Sequence, residues 1–200
     1  TKDGVVLTQG VDYAFSYDSV SDEITLISIG GDFTDGTYLI TVSEAGTTSI
    51  ITDVAGNALV DPVFTLVIDA TAPVVTMPLD GSLDDLDGDA KEMLVNDAQP
   101  SFILDLSDGA GSGIDDSTVT ASTVVLTRDG VPLTEGVDYL FGYDAATDRI
   151  TLTSIGGDFT DGTYLITISE AGATDIITDL AGNALADPVF TVVIDATSPM

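Results

Sequence analysis

The chain has 200 residues, enough for one or two domains, and a formal net charge of −30. Because 44 % of its residues are hydrophobic, it can build a packed core, which excludes a disordered acidic tail. Of the 34 acidic residues, 29 are Asp, the acid that favours turns and oxygen-ligand cation sites rather than helices. Such a surface repels nucleic acid and anionic membranes, so we expect no nucleic-acid binding and no membrane insertion.

The side chains that most often carry out acid–base and nucleophilic chemistry are almost missing. The chain has no Cys and no His, and Lys and Arg together number 4. We therefore predict that it is not an enzyme and has no small-molecule substrate, although a carboxylate pair of the glycosidase kind stays formally possible. The same absences disfavour zinc and copper and leave Ca²⁺, bound by oxygen atoms, as the expected cofactor.

An internal repeat organises the chain. Residues 1–73 align without a gap to residues 127–199 with 17 differences, so the period is 126 residues. We expect residues 1–71 to be the carboxyl-terminal part of one repeat and residues 72–200 to be one complete repeat. A spacer gains length from every copy, whereas a catalytic site would gain little from being duplicated.

In chain order, the second copy predicts seven short strands separated by turn residues. They are 74–77, 101–106, 121–127, 138–143, 149–154, 163–169 and 188–195. The stretch 78–100 is irregular and acidic, and it separates the first two strands. The predicted fold is all-β, a tandem of immunoglobulin-like antiparallel β-sandwiches with Greek-key connections and about seven strands per repeat.

Four short motifs recur at fixed places in the repeat. They are Asp-Ala-Thr-Ala-Pro at 69–73, Thr-Asp-x-Ala-Gly-Asn at 52–57 and 178–183, Ser-Gly-Ile-Asp-Asp-Ser-Thr-Val at 112–119, and Asp-Gly-Thr-Tyr at 35–38 and 161–164. In this order they resemble the bacterial immunoglobulin-like repeats of large repetitive surface adhesins, including RTX-type and biofilm-associated ones. The resemblance covers essentially the whole chain.

That resemblance implies a secreted, cell-surface stalk built of many such extender domains. Its partners would be the neighbouring repeats of the same chain. Calcium at the joints would stiffen the stalk, which would hold a distal ligand-binding tip away from the cell for adhesion or biofilm formation. A rival interpretation stays open, in which the repeat is itself a ligand-binding module for carbohydrate or for a cadherin-like homophilic contact.

The first candidate metal site is the joint between repeats, where the outgoing pole of one sandwich faces the incoming pole of the next. The residues expected to bind Ca²⁺ there are Asp32, Asp35, Asp69, Asp108, Asp115, Asp116, Asp179 and Asn183. Their equivalents elsewhere in the repeat are Asp53, Asn57, Asp158, Asp161 and Asp195. Alternatively, each Asp only closes a turn through its own backbone. Both roles stay open for Asp53 and Asp179, whereas calcium is favoured for Asp69.

The second candidate site is the acidic stretch between the first two strands. It contains Asp80, Asp84, Asp85, Asp87, Asp89, Glu92 and Asp97. At 85–89 the acids alternate around a Gly, loosely like the front of a calcium loop, although the EF-hand spacing is not met. We predict a surface loop ordered by calcium, and a flexible acidic insertion is the alternative.

Tyr38 and Tyr164 have two candidate roles. They could stack against a sugar, but a Tyr at the start of the sixth strand is more often a tyrosine corner, whose hydroxyl binds the backbone a few residues upstream. We favour the structural role.

Overall fold

A computed structural model describes residues 1–42, 50–60, 63–78, 91–168, 175–186 and 189–197, together with the backbone of residues 83–85. Strands are the main regular structure of this described part. The chain divides into two compact units, Thr1–Ala70 and Thr71–Met200. Among the described residues, no helix has the length and apolar character required to span a bilayer.

In the part that the structure describes, the first unit contains two antiparallel hairpins. Strand β1 (Tyr13–Asp18) pairs with β2 (Glu23–Ser28), and β3 (Gly36–Thr41) pairs with β4 (Val63–Ile68). The turn that joins β1 to β2 includes Asp22 at φ 56°, a left-handed conformation that Asp tolerates better than most residues.

The described residues of the second unit form ten strands and two short 3₁₀ turns. The strands are β5 (Val74–Thr76), β6 (Leu83–Asp85), β7 (Glu92–Val95), β8 (Ser101–Ser107), β9 (Val124–Arg128), β10 (Val131–Pro132), β11 (Tyr139–Asp144), β12 (Arg149–Ser154), β13 (Gly162–Ile168) and β14 (Val189–Ile194). The 3₁₀ turns span Asp116–Thr118 and Ala121–Thr123.

These strands form two sheets. One has the order β11-β12-β8-β5, and the other has the order β10-β9-β13-β14-β7-β6. All neighbours are antiparallel except β7 and β14, which run parallel. Because consecutive strands repeatedly cross between the sheets, the unit is a two-layered Greek-key sandwich, and the predicted immunoglobulin-like β-sandwich is confirmed.

The core of the second unit lies between the inner faces of the two sheets. Leu104 of β8 stands opposite Ile150 of β12 in register, and both are fully buried. Ile166 of β13 is buried to the same degree in the other sheet. The period-2 alternation places these side chains inward, and burying each one stabilises the fold by about 1.5–3 kcal/mol.

All seven predicted strands are present, but the description of residues 78–100 as one irregular loop is wrong. Strands β6 and β7 lie inside this stretch, and Met93 and Val95 of β7 are 0 % exposed. Strand β7 is short and surrounded by acids, so its local pattern is weak. Its pairing with β14 comes from tertiary packing, which sequence periodicity does not show.

The structure confirms the tyrosine-corner role. The Tyr164 hydroxyl donates to the carbonyl oxygen of Thr160 at 2.9 Å, and Tyr38 makes the same bond to Thr34 at 2.8 Å in the first unit. Tyr164 is only 1 % exposed, and Phe102 packs edge-on against its ring. This burial keeps the ring from stacking on a sugar.

Replacement of Tyr164 by Phe should destabilise the second unit by about 1–2 kcal/mol, because the Thr160 carbonyl loses its buried partner. Urea unfolding followed by circular dichroism measures this. Tyr17→Phe is the matched control, since Tyr17 is 54 % exposed and its hydroxyl bonds to Asp22 at the surface. Equal midpoints for Tyr164→Phe and the parent chain would show that the corner contributes nothing to stability.

Candidate metal site

Two loops at one pole of the second unit are joined by main-chain hydrogen bonds. One follows β8 and the other carries the Thr-Asp-x-Ala-Gly-Asn motif. The Leu180 amide donates to the Gly113 carbonyl at 2.8 Å, and the Asp115 amide donates to the Thr178 carbonyl at 2.9 Å. These bonds place the acids of the two loops side by side.

The motif forms the same turn in both units. Asp179 accepts hydrogen bonds from the Asn183 amide at 2.8 Å and from Asn183 Nδ2 at 2.7 Å. Asp53 accepts the same two bonds from Asn57, both at 2.8 Å, and they lower the pKa of Asp53, the side-chain bond most. Gly182 takes φ 90° to close the turn. The turn role that the sequence left open is therefore present in both copies.

Asp179 differs from Asp53 in its surroundings. Asp179 is 1 % exposed and Asp108 is 9 % exposed, whereas Asp53 lies at the surface. A carboxylate oxygen of Asp108 lies within 4.8 Å of one of Asp179. Removing two carboxylates from water costs free energy, and their like charges repel, so a bound cation would offset both effects.

The loop after β8 wraps closely around the Asp108 carboxylate. Asp108 Oδ2 accepts a hydrogen bond from the Gly113 amide at 2.7 Å, and the Gly111 amide donates to the Asp108 carbonyl at 2.8 Å. A side chain at position 111 would overlap the Asp108 carboxylate, so only Gly fits this close approach.

The residues that lead into the second unit pass beside this pole. Asn183 Nδ2 lies 3.4 Å from the carbonyl oxygen of Thr71 as well as bonding to Asp179. Backbone carbonyls and side-chain amide and carboxylate oxygens are the ligands that Ca²⁺ prefers. Asp108, Asp179 and the Thr71 carbonyl place oxygen atoms of this kind at the pole, and Asn183 presents its Nδ2 to two of them.

Two further predicted ligands accept hydrogen bonds within the second unit, and calcium binding by them stays a prediction. Asp115 caps the 3₁₀ turn by accepting bonds from the Ser117 amide at 3.1 Å and the Ser117 hydroxyl at 2.6 Å. Asp116 accepts a bond from the Tyr143 hydroxyl at 2.6 Å. Burial, together with the nearby Asp116 and Asp148, raises the pKa of Tyr143 far above its ordinary value.

The Asp-Gly-Thr-Tyr acids hold the chain where it leaves each unit. Asp161 accepts bonds from the Thr197 hydroxyl at 2.6 Å and the Ala196 amide at 2.9 Å, and these bonds lower the pKa of Asp161, the Thr197 bond most. Asp35 accepts the equivalent bond from Ala70 at 3.1 Å. Both carboxylates thus fix the direction of the outgoing chain.

The remaining predicted residues at the poles are exposed. Asp32 and Asp158 lie at the surface in the Gly-Gly-Asp loops that precede β3 and β13. Asp195 is exposed and accepts a bond from the Thr197 amide at 3.1 Å, a local turn contact.

The acidic stretch before β8 is described only in part. Asp80, Asp87 and Asp89 lie outside the described residues. Asp84 and Asp85 lie in β6, and Glu92 begins β7 as an exposed residue. Asp97 accepts a bond from the adjacent Ala98 amide at 2.9 Å. Calcium binding by this stretch stays a prediction.

Sequence reasoning named both buried acids of this site but missed the residues that shape it. Gly111 and Gly113 enclose Asp108, and the Thr71 carbonyl adds an oxygen at the edge. The run Gly-Ala-Gly-Ser-Gly at 109–113 was the available signal, because such a glycine run permits close backbone approach.

No protein-family model matches the chain, and no curated protein matches it. Among solved structures, the I-band fragment I67-I69 from titin is 13 % identical over 97 % of this chain and 53 % of that one, with a TM-score of 0.41. Titin domains A168-A170 are 12 % identical over 95 % and 51 %, with a TM-score of 0.37. The chain thus spans about half the length of these two titin fragments.

A single titin domain, M4, is 16 % identical over 65 % of this chain and 99 % of that one, with a TM-score of 0.34. Likenesses this distant concern the fold alone. The sandwich class rests on the sheets and the core described above.

Proposed function

We propose that the pole formed by Asp108 and Asp179 binds Ca²⁺. The observation that carries this proposal is the pair of nearly buried carboxylates, whose oxygens lie within 4.8 Å of each other. The loop after β8 encloses one of them so closely that a side chain at position 111 would overlap the Asp108 carboxylate. The two Arg side chains of this unit bind elsewhere, Arg149 to Asp105 and Arg128 to the Asp161 carbonyl. A divalent cation is the simplest counter-charge.

In this proposal Asp69 is a third ligand of the ion, the role that its place in the linker favours. It precedes Thr71 by two residues, so the chain itself keeps it within about 8 Å of the Thr71 backbone. The Thr71 carbonyl already lies beside Asn183. A calcium ion bound by Asp69, Asp108 and Asp179 would therefore tie the linker to the pole of the unit that follows it.

The function that fits such a site is a spacer. The chain repeats with a period of 126 residues, and the 73 positions present twice differ at 17. This repetition, the net charge of −30 and the short Pro-containing linker suit a modular extracellular stalk. In this proposal the chain is a set of extender repeats of a bacterial surface adhesin, stiffened by Ca²⁺ at the joints, and its partners are neighbouring repeats.

Calcium titration of the metal-stripped chain, followed by calorimetry, tests the site directly. We expect saturable binding with a dissociation constant of about 1 mM or tighter, and much weaker binding of Mg²⁺, which dehydrates reluctantly. Asp108→Asn should remove this binding. Asp144→Asn, which removes the same charge from an exposed hairpin turn, should not. Unchanged binding by Asp108→Asn would show that calcium binds elsewhere.

A further inference from the structure

The first unit exposes an apolar face that the second unit buries. Ile24 of β2 is 38 % exposed, whereas its repeat equivalent Ile150 is 0 % exposed. Phe64 of β4 is 56 % exposed, whereas the equivalent Phe190 is 2 % exposed. The side chains are the same, so the difference lies in what covers them.

In the second unit, three strands from residues 74–128 cover this face. Strand β8 pairs with β12, β9 pairs with β13, and β7 pairs with β14. In the described part of the first unit, β1 pairs with β2 and β3 pairs with β4, and no further strand joins either pair. Beyond β4, β3 bonds only to the residues at the start of the chain. Between the two hairpins lies an open apolar groove of ≈ 470 Å³, lined by Phe15, Leu26, Tyr38 and Leu66 among others.

The backbone of Thr1 shows how a covering segment would approach. The Thr1 amino group donates to the Leu39 carbonyl at 2.8 Å, and the Leu39 amide donates to the Thr1 carbonyl at 3.0 Å. Thr127 faces Leu165 in the same register at the end of β9. Residues joined ahead of Thr1 would therefore continue along β3, as Val124–Arg128 lies along β13.

We propose that this face is the docking site of a segment of the same polypeptide that joins Thr1 and has the strand pattern of residues 74–126. Its β8-like strand inserts beside β2 and its β9-like strand beside β3. The apolar positions equivalent to Phe102, Leu104 and Leu106 fill the groove, as those side chains fill the core of the second unit.

The segment that docks on the first unit differs from residues 74–126 in the charge at the position equivalent to Asp105. In the second unit, Arg149 begins β12 and its Nε lies 2.7 Å from Asp105 of β8. The first unit has Glu23 at the position of Arg149. An Asp opposite Glu23 would repel it, whereas a basic residue would pair with it, so in this proposal the segment that docks here has a basic residue at that position.

The test compares the 200-residue chain with an extended chain in which a copy of residues 74–126 precedes Thr1. The repeat makes this junction equivalent to the natural one between residues 126 and 127. In the appended copy, the residue equivalent to Asp105 is changed to Lys so that it faces Glu23. Hydrogen exchange of the β2 and β3 amides and fluorescence of the dye ANS are recorded for both chains.

The extended chain should protect the β2 and β3 amides roughly tenfold or more and lose most of the ANS signal. Restoring Asp at the changed position should weaken this protection. Adding Glu23→Arg to the chain with the restored Asp should recover it. An extension with Ser at the positions of Phe102, Leu104 and Leu106 is the control and should leave the face open.

Two results would overturn the proposal. In one, exchange and ANS binding stay the same in the extended and parent chains. In the other, sedimentation shows a dimer of the parent chain that persists after extension, which would make a second copy the occupant of the face.

Discussion

Removal of calcium should lower the melting temperature of the second unit by about 10 °C. A ligand present at 100 times its dissociation constant stabilises the folded state by about 2.7 kcal/mol. For a unit of this size, each kcal/mol corresponds to roughly 3–5 °C. The measurement is a calorimetric scan in CaCl₂ at 100 times the dissociation constant found by titration, and again in excess chelator. Mg²⁺ should restore little of the lost stability.

Asp108→Asn distinguishes calcium binding at this site from a general salt effect, because the variant should melt below the parent chain in calcium but not in chelator. The Asn side-chain oxygen can still accept the bond from the Gly113 amide, but the repulsion from Asp179 is gone. In chelator the variant should melt at or above the parent chain, and in calcium it should melt below. Asp144→Asn should follow the parent in both conditions. An unchanged melt of the parent chain in chelator would contradict calcium binding.

A stalk of several repeats should shorten when calcium is removed. Strands of 6–7 residues and their polar loops give each repeat about 40 Å of reach, so five aligned repeats would extend about 200 Å. Freely jointed repeats would span roughly half that distance on average. Small-angle scattering of a five-repeat chain in calcium and in chelator measures the maximum dimension.

Replacement of Asp69 and its equivalents by Ala should reproduce most of this shortening in calcium. Each sandwich should stay folded, because Asp69 lies outside the strands of both units. Ala at Asp144 and its equivalents is the control and should leave the length unchanged. If the stalk is equally extended in calcium and in chelator, calcium stabilises single units and does not stiffen joints.

Most strands of the fold could be predicted from sequence, because the alternating side chains and turn residues that indicate each strand are close together in the chain. The alternation of Tyr139, Phe141 and Tyr143 marks β11, and turn residues separate it from β12. Strand β7 could not be predicted, because Met93 and Val95 are defined by parallel pairing with a strand about 100 residues away. A run of four residues carries too little periodicity to stand out.

The candidate site was predictable in composition but not in geometry. The motif that contains Asp179 has the same residues in both copies except at its variable position, yet Asp53 is exposed and Asp179 is buried. The difference arises from the loop after β8, whose Gly113 carbonyl binds the Leu180 amide. Sequence spacing does not reveal which of two identical turns another loop will cover.

The parallel pairing of β7 with β14 determines how the second unit would carry mechanical tension. Once β5 and β6, which precede β7 in the chain, have detached from β8 and β7, a pull on the two ends of the unit draws β7 toward its amino end and β14 toward its carboxyl end. Because the strands run the same way, the load acts along them as shear. The bonds from Thr191 to Lys91 and from Asp195 to Val95 at the two ends of the pair share the load instead of opening in turn. Rupture under force would then be abrupt, and the rate of this single step would set how long the unit survives a pull.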